Sequence, residues 1–437
     1  MSSDHCENTL NSLCLLVVDC PHATPKWTES GYVVLRNQNI KGGRLDLTQP
    51  SFTDDDHFKG RIKRAAPQCG DIVITREAPM GDVCQIPAGL VCCLGQRQVL
   101  LRPNPSKIDG RYMLYALQSP YIQNQIGWNE GTGSTVSNLR IPVLEALKIP
   151  TPPIDVQREI AGSLGAIDDR IALLRETNAT LEAIAQALFK SWFVDFDPVR
   201  AKQQGQMPEG MDEATSALFP DSFEESELGL VPYGWTPTSF GQTITVIGGG
   251  TPKTSNADYW NGDIPWFSVV DSPANHDVFV VRTEKYITDA GVKNSSTKIL
   301  PVGTTIISAR GTVGKLALTG VPMAMNQSCY GLRGKVEDSY FTYYSTSRIV
   351  EVLKQMSHGS VFDTITRDTL DGISVVYPTA SAIKAFDDLI APVMERIKAN
   401  LEAIGSLSFI RDTLLPRLIS GQLRIPEAKQ AVEEATA

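Results

Sequence analysis

Residues 160–192 read IAGSLGAIDDRIALLRETNATLEAIAQALFKSW. Within them Ile160, Leu164, Ile167, Ile171, Leu174, Asn178, Leu181, Ala185, Leu188 and Trp192 recur at alternating steps of four and three. That is the period of a helix burying one edge against another helix. Residues 386–418, FDDLIAPVMERIKANLEAIGSLSFIRDTLLPRL, carry the same seam in the same phase 226 positions later. Its members are Phe386, Ile390, Val393, Ile397, Asn400, Ile404, Leu407, Arg411, Leu414 and Leu418. A spacing kept through both copies predicts a duplicated chain: globular head, long helix, globular head, long helix. Each seam corresponds to about 50 Å of helix at 1.5 Å per residue. The simplest pairing is antiparallel, because the chain can travel through the second head and return, leaving the heads at opposite ends about a pseudo-twofold axis. Asn178 and Asn400 interrupt the seams, and a buried amide there can fix register at a cost in stability. The expected class is α+β: two mixed α/β heads separated by a pair of long antiparallel coiled-coil helices.

The 437 residues leave room for two or three domains, and 42% hydrophobic residues suffice for ordinary cores. Residues 1–16 are too short and too interrupted by Asp4, His5, Glu7 and Asn11 for a signal peptide, and no apolar run is long enough to span a membrane. Seven of the eight cysteines fall in the first third without a C-x-x-C pair, which predicts reduced thiols rather than disulfides or a zinc site. The formal charge of −9 is unusual for a DNA-binding chain. Its distribution matters more: residues 193–235 hold nine acidic and two basic side chains, whereas residues 20–150 hold fifteen basic and eleven acidic. Residues 236–377 are balanced, and Lys59, Arg61, Lys63 and Arg64 cluster in the first head.

Short apolar runs bounded by Gly and Pro, such as 71–74 and 304–307, predict strands in both heads. Helices are expected over 112–117, 119–122 and 340–353. Each head ends in an apolar strand running into a proline turn, 147–153 and 373–378, before its long helix. Thr24-Pro25-Lys26 matches Thr251-Pro252-Lys253, Gly133-Ser134 matches Gly359-Ser360, and 70–81 matches 303–314, so the duplication includes the heads.

Several stretches resemble catalytic motifs but fail on inspection. In Gly248-Gly249-Gly250-Thr251-Pro252-Lys253-Thr254 a proline replaces the glycine that a phosphate loop needs before its lysine. Gly311-Thr312-Val313-Gly314-Lys315 is followed by Leu316, where a magnesium-binding hydroxyl would stand. The five histidines show no metal-ligand spacing. Asp195-Phe196-Asp197, just after the first seam, is expected to be a cap or turn. With no catalytic constellation, the weight shifts to recognition by polar, Gly-flanked loops: Arg36 to Asn39, Arg76-Glu77, Arg310, and the stretches 131–137 and 358–364. Arg, Asn and Gln can pair with guanine and adenine edges.

The chain resembles the specificity subunit of type I restriction-modification systems. The likeness lies in Val18-Asp19-Cys20-Pro21-His22-Ala23-Thr24-Pro25, Gly249-Gly250-Thr251-Pro252 with Tyr259-Trp260-Asn261-Gly262-Asp263-Ile264-Pro265-Trp266, Arg310-Gly311-Thr312-Val313-Gly314, and Ile149-Pro150-Thr151-Pro152-Pro153 leading to Gln157. It continues in residues 186–196 and in Leu415-Pro416-Arg417-Leu418-Ile419-Ser420-Gly421. This resemblance implies target-recognition domains at 1–153 and 236–378, spacer helices at 154–195 and 379–425, an acidic connector at 196–235 and a tail at 426–437. Each domain would read one half of a bipartite double-stranded DNA target, with base contacts expected at Arg36, Asn37, Arg76, Lys253, Ser268 and Arg310. The resemblance also implies a cytoplasmic adaptor without an active site, metal or cofactor of its own. Two modification subunits would bring S-adenosylmethionine, and restriction subunits would bring ATP and Mg. The competing readings are a self-contained DNA-cleaving enzyme and a protein-only scaffold. The first head lacks a lead-in like Pro232-Tyr233-Gly234-Trp235, and the C-terminal tail is the expected element for completing its N-terminal edge.

Overall fold

The computed structural model describes residues 6–127, 138–273, 277–336, 338–356, 364–423 and 426–427. The chain falls into two compact units, residues 1–171 with 406–437, and residues 172–405. Two helices of 40 residues, Ile154–Phe193 and Ala380–Ile419, begin and end 226 positions apart, so the repeat read from the seam holds at both termini. The second stops where Gly421 takes a left-handed conformation and Leu423 N–H donates to Arg417 O at 3.1 Å, short of the expected 425.

In the first unit a four-stranded antiparallel sheet has the order Cys14–Asp19, Gln98–Pro103, Ile72–Thr75, Val83–Gln85. Every residue of Ile72–Thr75 is buried, because the strand is covered on both faces and its run of apolar residues needs no alternation. Beside it lies a smaller sheet in which Tyr32–Leu35 pairs antiparallel with Ser51–Thr53 and parallel with Cys92–Leu94. The expected helices at 112–117 and 119–122 are found as Gly110–Gln118 and Pro120–Gly127. Glu7–Thr9 pairs with Lys148–Pro150, so the chain's own first strand supplies the edge that the expectation assigned to the C-terminal tail.

Helical glycine costs about 1 kcal/mol relative to alanine. At Gly165 the Arg111 guanidinium lies across the helix, donating to Gly165 O at 3.1 Å and pairing with Asp169 at 2.6 Å. A Cβ at this position would lie 2.5 Å from Arg111 Cζ.

The second unit repeats the plan. Its five-stranded sheet runs Ile244–Gly248, Cys329–Gly334, Thr305–Ser308, Leu316–Thr319, Phe279–Val280. Trp260–Phe267 pairs antiparallel with Tyr286–Ile287 and parallel with Ala324–Met325. Thr236–Ser239 pairs with Ser374–Tyr377 as Glu7–Thr9 does with its partner. The acidic connector is itself folded, with a helix at Asp197–Gln203 and a hairpin of Phe223–Ser226 with Gly229–Pro232. Within this unit the two long helices run antiparallel: Asn178 faces Asn400, and Phe189 and Trp192 pack on Phe386.

Helix Ser339–Met356 is capped by a side chain of the long helix: Asp387 accepts from Phe341 N–H at 2.8 Å and Tyr340 N–H at 3.1 Å. Burial, opposed by these two bonds and reinforced by the charge of Asp338, pushes the Asp387 carboxyl up from 3.8 to about 6. Between those values the folded chain holds a proton that the unfolded chain has released, so this group's contribution to stability is lost as pH rises from about 4 to about 6. Urea titrations across that window are expected to show this downward slope, and Asp387→Asn should flatten it.

Candidate nucleic-acid interface

In the first head four chain segments converge where Cys14–Asp19, Tyr32–Leu35 and Ile72–Thr75 end and Gln98–Pro103 begins. Arg36 leaves the middle strand exposed, its guanidinium 5.3 Å from the centre of the half-exposed Trp27 ring, a cation–π geometry. Its backbone N–H donates to Asn39 Oδ1 at 2.9 Å, which fixes the short 3-10 turn Asn37–Asn39. Asn37 is half-buried, donating to Glu77 O at 2.5 Å and accepting from Gln98 Nε2 at 3.2 Å. Arg76 is 9% exposed. Its guanidinium donates to Asp19 at 2.9 and 3.0 Å, to Leu139 O at 2.9 Å and to Asn138 Oδ1 at 3.2 Å. Glu77 accepts from Asn138 at 2.6 Å and pairs with Arg97 at 3.1 Å.

The second head builds the same frame from other residues. Ser268 starts the 3-10 turn Val269–Asp271, and its N–H donates to Asp271 Oδ2 at 2.8 Å. Arg310 and Lys253 are exposed, and the carbonyl of Lys253 accepts from Trp260 Nε1 at 3.3 Å. Backbone bonds give the equivalences. Gly81 N–H reaches Thr75 O, and Gly314 N–H reaches Ser308 O, both at 2.9 Å. Leu139 N–H reaches Arg76 O, and Ile365 N–H reaches Ala309 O, again both at 2.9 Å. Arg76 therefore stands where the other head has buried Ala309, and Glu77 stands where it has Arg310.

The structure thus gathers Arg36, Asn37, Arg76 and Glu77 on one edge of the first head, joined there by Trp27, Arg97 and Asn138, which sequence reasoning missed. Trp27 had a signal, since it follows the repeated Thr-Pro-Lys marker directly. The buried guanidinium of Arg76 holds Asp19, Leu139 O and Asn138 in place at this edge. The stretches 131–137 and 358–363 lie outside the described residues.

The motifs set aside on sequence grounds have structural roles. Cβ atoms at Gly249 and Gly250 would lie 1.9 Å from Asn326 O and 2.3 Å from Ser296 Oγ, so these glycines serve close packing and leave no cradle for phosphate. Asp195 pairs with Lys190, and Asp197 opens a helix. Burial pushes the thiols of Cys14, Cys84, Cys92 and Cys329 up to about 12, which disfavours their thiolates. Among the described residues no group of three His, Cys, Asp or Glu is placed to hold a metal, and no helix is long and apolar enough to cross a membrane.

The type I restriction modification DNA specificity domain matches residues 24–183 and again 232–406, well over half the chain. The HindI specificity subunit of Haemophilus influenzae is 28% identical over 337 residues, covering 67% of this chain and 73% of that protein. The MjaIX specificity subunit of Methanocaldococcus jannaschii is 32% identical over 178 residues, 38% of this chain and 41% of that one. The crystal structure of a type I restriction-modification S subunit from M. genitalium shares the fold, with a TM-score of 0.53 at 16% identity over 96% of this chain and 97% of that one. With its domain present twice on one repeated frame, the chain belongs to the type I restriction-modification DNA specificity family.

Proposed function

We propose that this chain is the sequence-reading adaptor of a type I restriction-modification complex, with residues 1–153 and 236–378 each reading one half of a bipartite double-stranded DNA target. The observation that carries this reading is the repeated frame bearing unlike side chains: Arg36 against Ser268, Glu77 against Arg310. Two heads with one scaffold and different exposed groups suit two different half-sites. The helices 154–195 and 379–425 fix the unread interval. They also offer, with the connector 196–235, surfaces for two modification subunits, which bring S-adenosylmethionine. Restriction subunits bring ATP and Mg, and the complex works in the cytoplasm. Exposed Arg36, Lys253 and Arg310 touch the DNA, while Asn37, Ser268 and Arg76 hold the turns that present them. The tail 426–437 follows the second helix.

Methylation mapping in cells carrying the system tests this reading. Exchanging residues 236–378 for those of a relative is expected to change one half-site and leave the other half and the interval unchanged. A change in both halves, or in neither, rules it out. The purified chain alone, given DNA, Mg, ATP and S-adenosylmethionine, is expected neither to cleave nor to methylate.

A further inference from the structure

The turn that leaves the middle strand is the same piece of backbone in both heads. Gly95 N–H donates to Leu35 O at 2.7 Å, and Asn326 N–H donates to Phe267 O at 2.9 Å, so the strands end at matching positions. The next residue, Arg36 or Ser268, donates its N–H to the side chain three places on, Asn39 or Asp271. The fourth residue is therefore an anchor in each head, and the third, Gln38 or Val270, points away from the anchored side. Gln38 is exposed, and Val270 is 74% exposed. Val269 already fills the inward place, packing on the cluster that contains Phe267 and Val280.

Single exposed apolar residues are common and by themselves mean little. Val270 differs because it is held in water on a turn fixed by the Ser268–Asp271 hydrogen bonds, and the counterpart of that turn carries an amide. An amide pairs with adenine, whereas the apolar feature of the major groove is the thymine methyl group. A β-branched side chain has few rotamers to lose on contact. We propose that Val270 is a specificity-determining residue that packs on a thymine methyl in the half-site read by residues 236–378. This rests on the function proposed above.

The test uses the chain in complex with its modification subunits and duplexes carrying the target found by methylation mapping. Each thymine of that half-site, on either strand, is replaced singly by deoxyuridine, which removes only the methyl group. One position is expected to weaken binding roughly fourfold, the value of one buried methyl-sized group. Val270→Ala should bind the unmodified target with the same loss and be indifferent to deoxyuridine at that position. Deoxyuridines in the other half-site should affect both proteins alike. The proposal is overturned if no deoxyuridine in this half-site weakens the wild-type complex, or if Val270→Ala keeps the sensitivity. A complex with no sequence-dependent binding at all would overturn the proposed function as well, and is recognised by equal affinity for unrelated duplexes.

Discussion

Phe386→Ala is expected to destabilise the second unit by about 4 kcal/mol, the middle of the range for aromatic truncations in cores. Phe386 is fully buried among four rings from two other helices. Its centroid lies 5.3 Å from Phe193, 5.7 Å from Phe189, 5.9 Å from Trp192 and 6.3 Å from Tyr344. Phe193 in turn meets Phe341 at 5.0 Å and Trp235 at 5.9 Å, and Trp192 meets Phe219 at 5.2 Å. Rigid rings held edge to face cannot collapse into the space left behind, so the loss combines hydrophobic transfer with a cavity. Urea unfolding followed by tryptophan fluorescence reads the effect, since Trp192 and Trp235 sit within the cluster. Phe386→Leu should cost much less. A loss below about 1 kcal/mol for the alanine variant would show that the cluster relaxes and does not join the head to its helices.

The long helices were legible because a seam repeats locally. Even so, the strict 3.5 period drifts from the true one: Leu188 and Val393 are half-buried, while the adjacent Phe189 and Met394 are buried. An α-helix turns every 3.6 residues, so the buried edge slides by one position along a stretch that does not supercoil fully. The two seam asparagines satisfy one another, Asn400 donating to Asn178 at 2.7 Å, with Asn178 also reaching Ile397 O at 3.4 Å. The two amides stand one seam step apart in the repeat and meet because the helices run antiparallel, which is the contact a buried amide needs to fix register. The heads were legible as repeats but not as topologies, because Cys14–Asp19 lies beside Gln98–Pro103, a pairing that crosses most of a domain. The role of Arg76 was hidden for the same reason: its carboxylate partner, Asp19, is 57 residues away.

Arg411 stands in the second seam where an apolar residue is expected, and Asp168 explains it. Oδ1 of Asp168 accepts from Arg411 at 2.9 Å and Arg44 at 3.1 Å, while Oδ2 accepts from the Tyr115 hydroxyl at 2.7 Å. One carboxylate thus ties both long helices to a strand and a helix of the first head. Burial, reinforced by the charge of Asp168, holds the Tyr115 phenol well above its usual range, so it stays a donor. Asp168→Ala would take a shared carboxylate from two guanidinium groups and a hydroxyl, leaving Arg411 only the exposed Asp412 and Arg44 only the backbone carbonyl of residue 168. The arginine side chains are only 28% and 21% exposed, so water makes up part of that loss but not all of it. The expected destabilisation of the first unit is about 3 kcal/mol, and Asp168→Asn should cost less because its oxygen still accepts. The decisive measurement is a double-mutant cycle with Arg411→Met: if the carboxylate serves the guanidinium, the second substitution should recover part of the loss, since an apolar seam needs no counter-charge. Additive losses would instead mean that Tyr115 and Arg44 carry the joint and that Arg411 is tolerated there through the reach of its side chain into solvent.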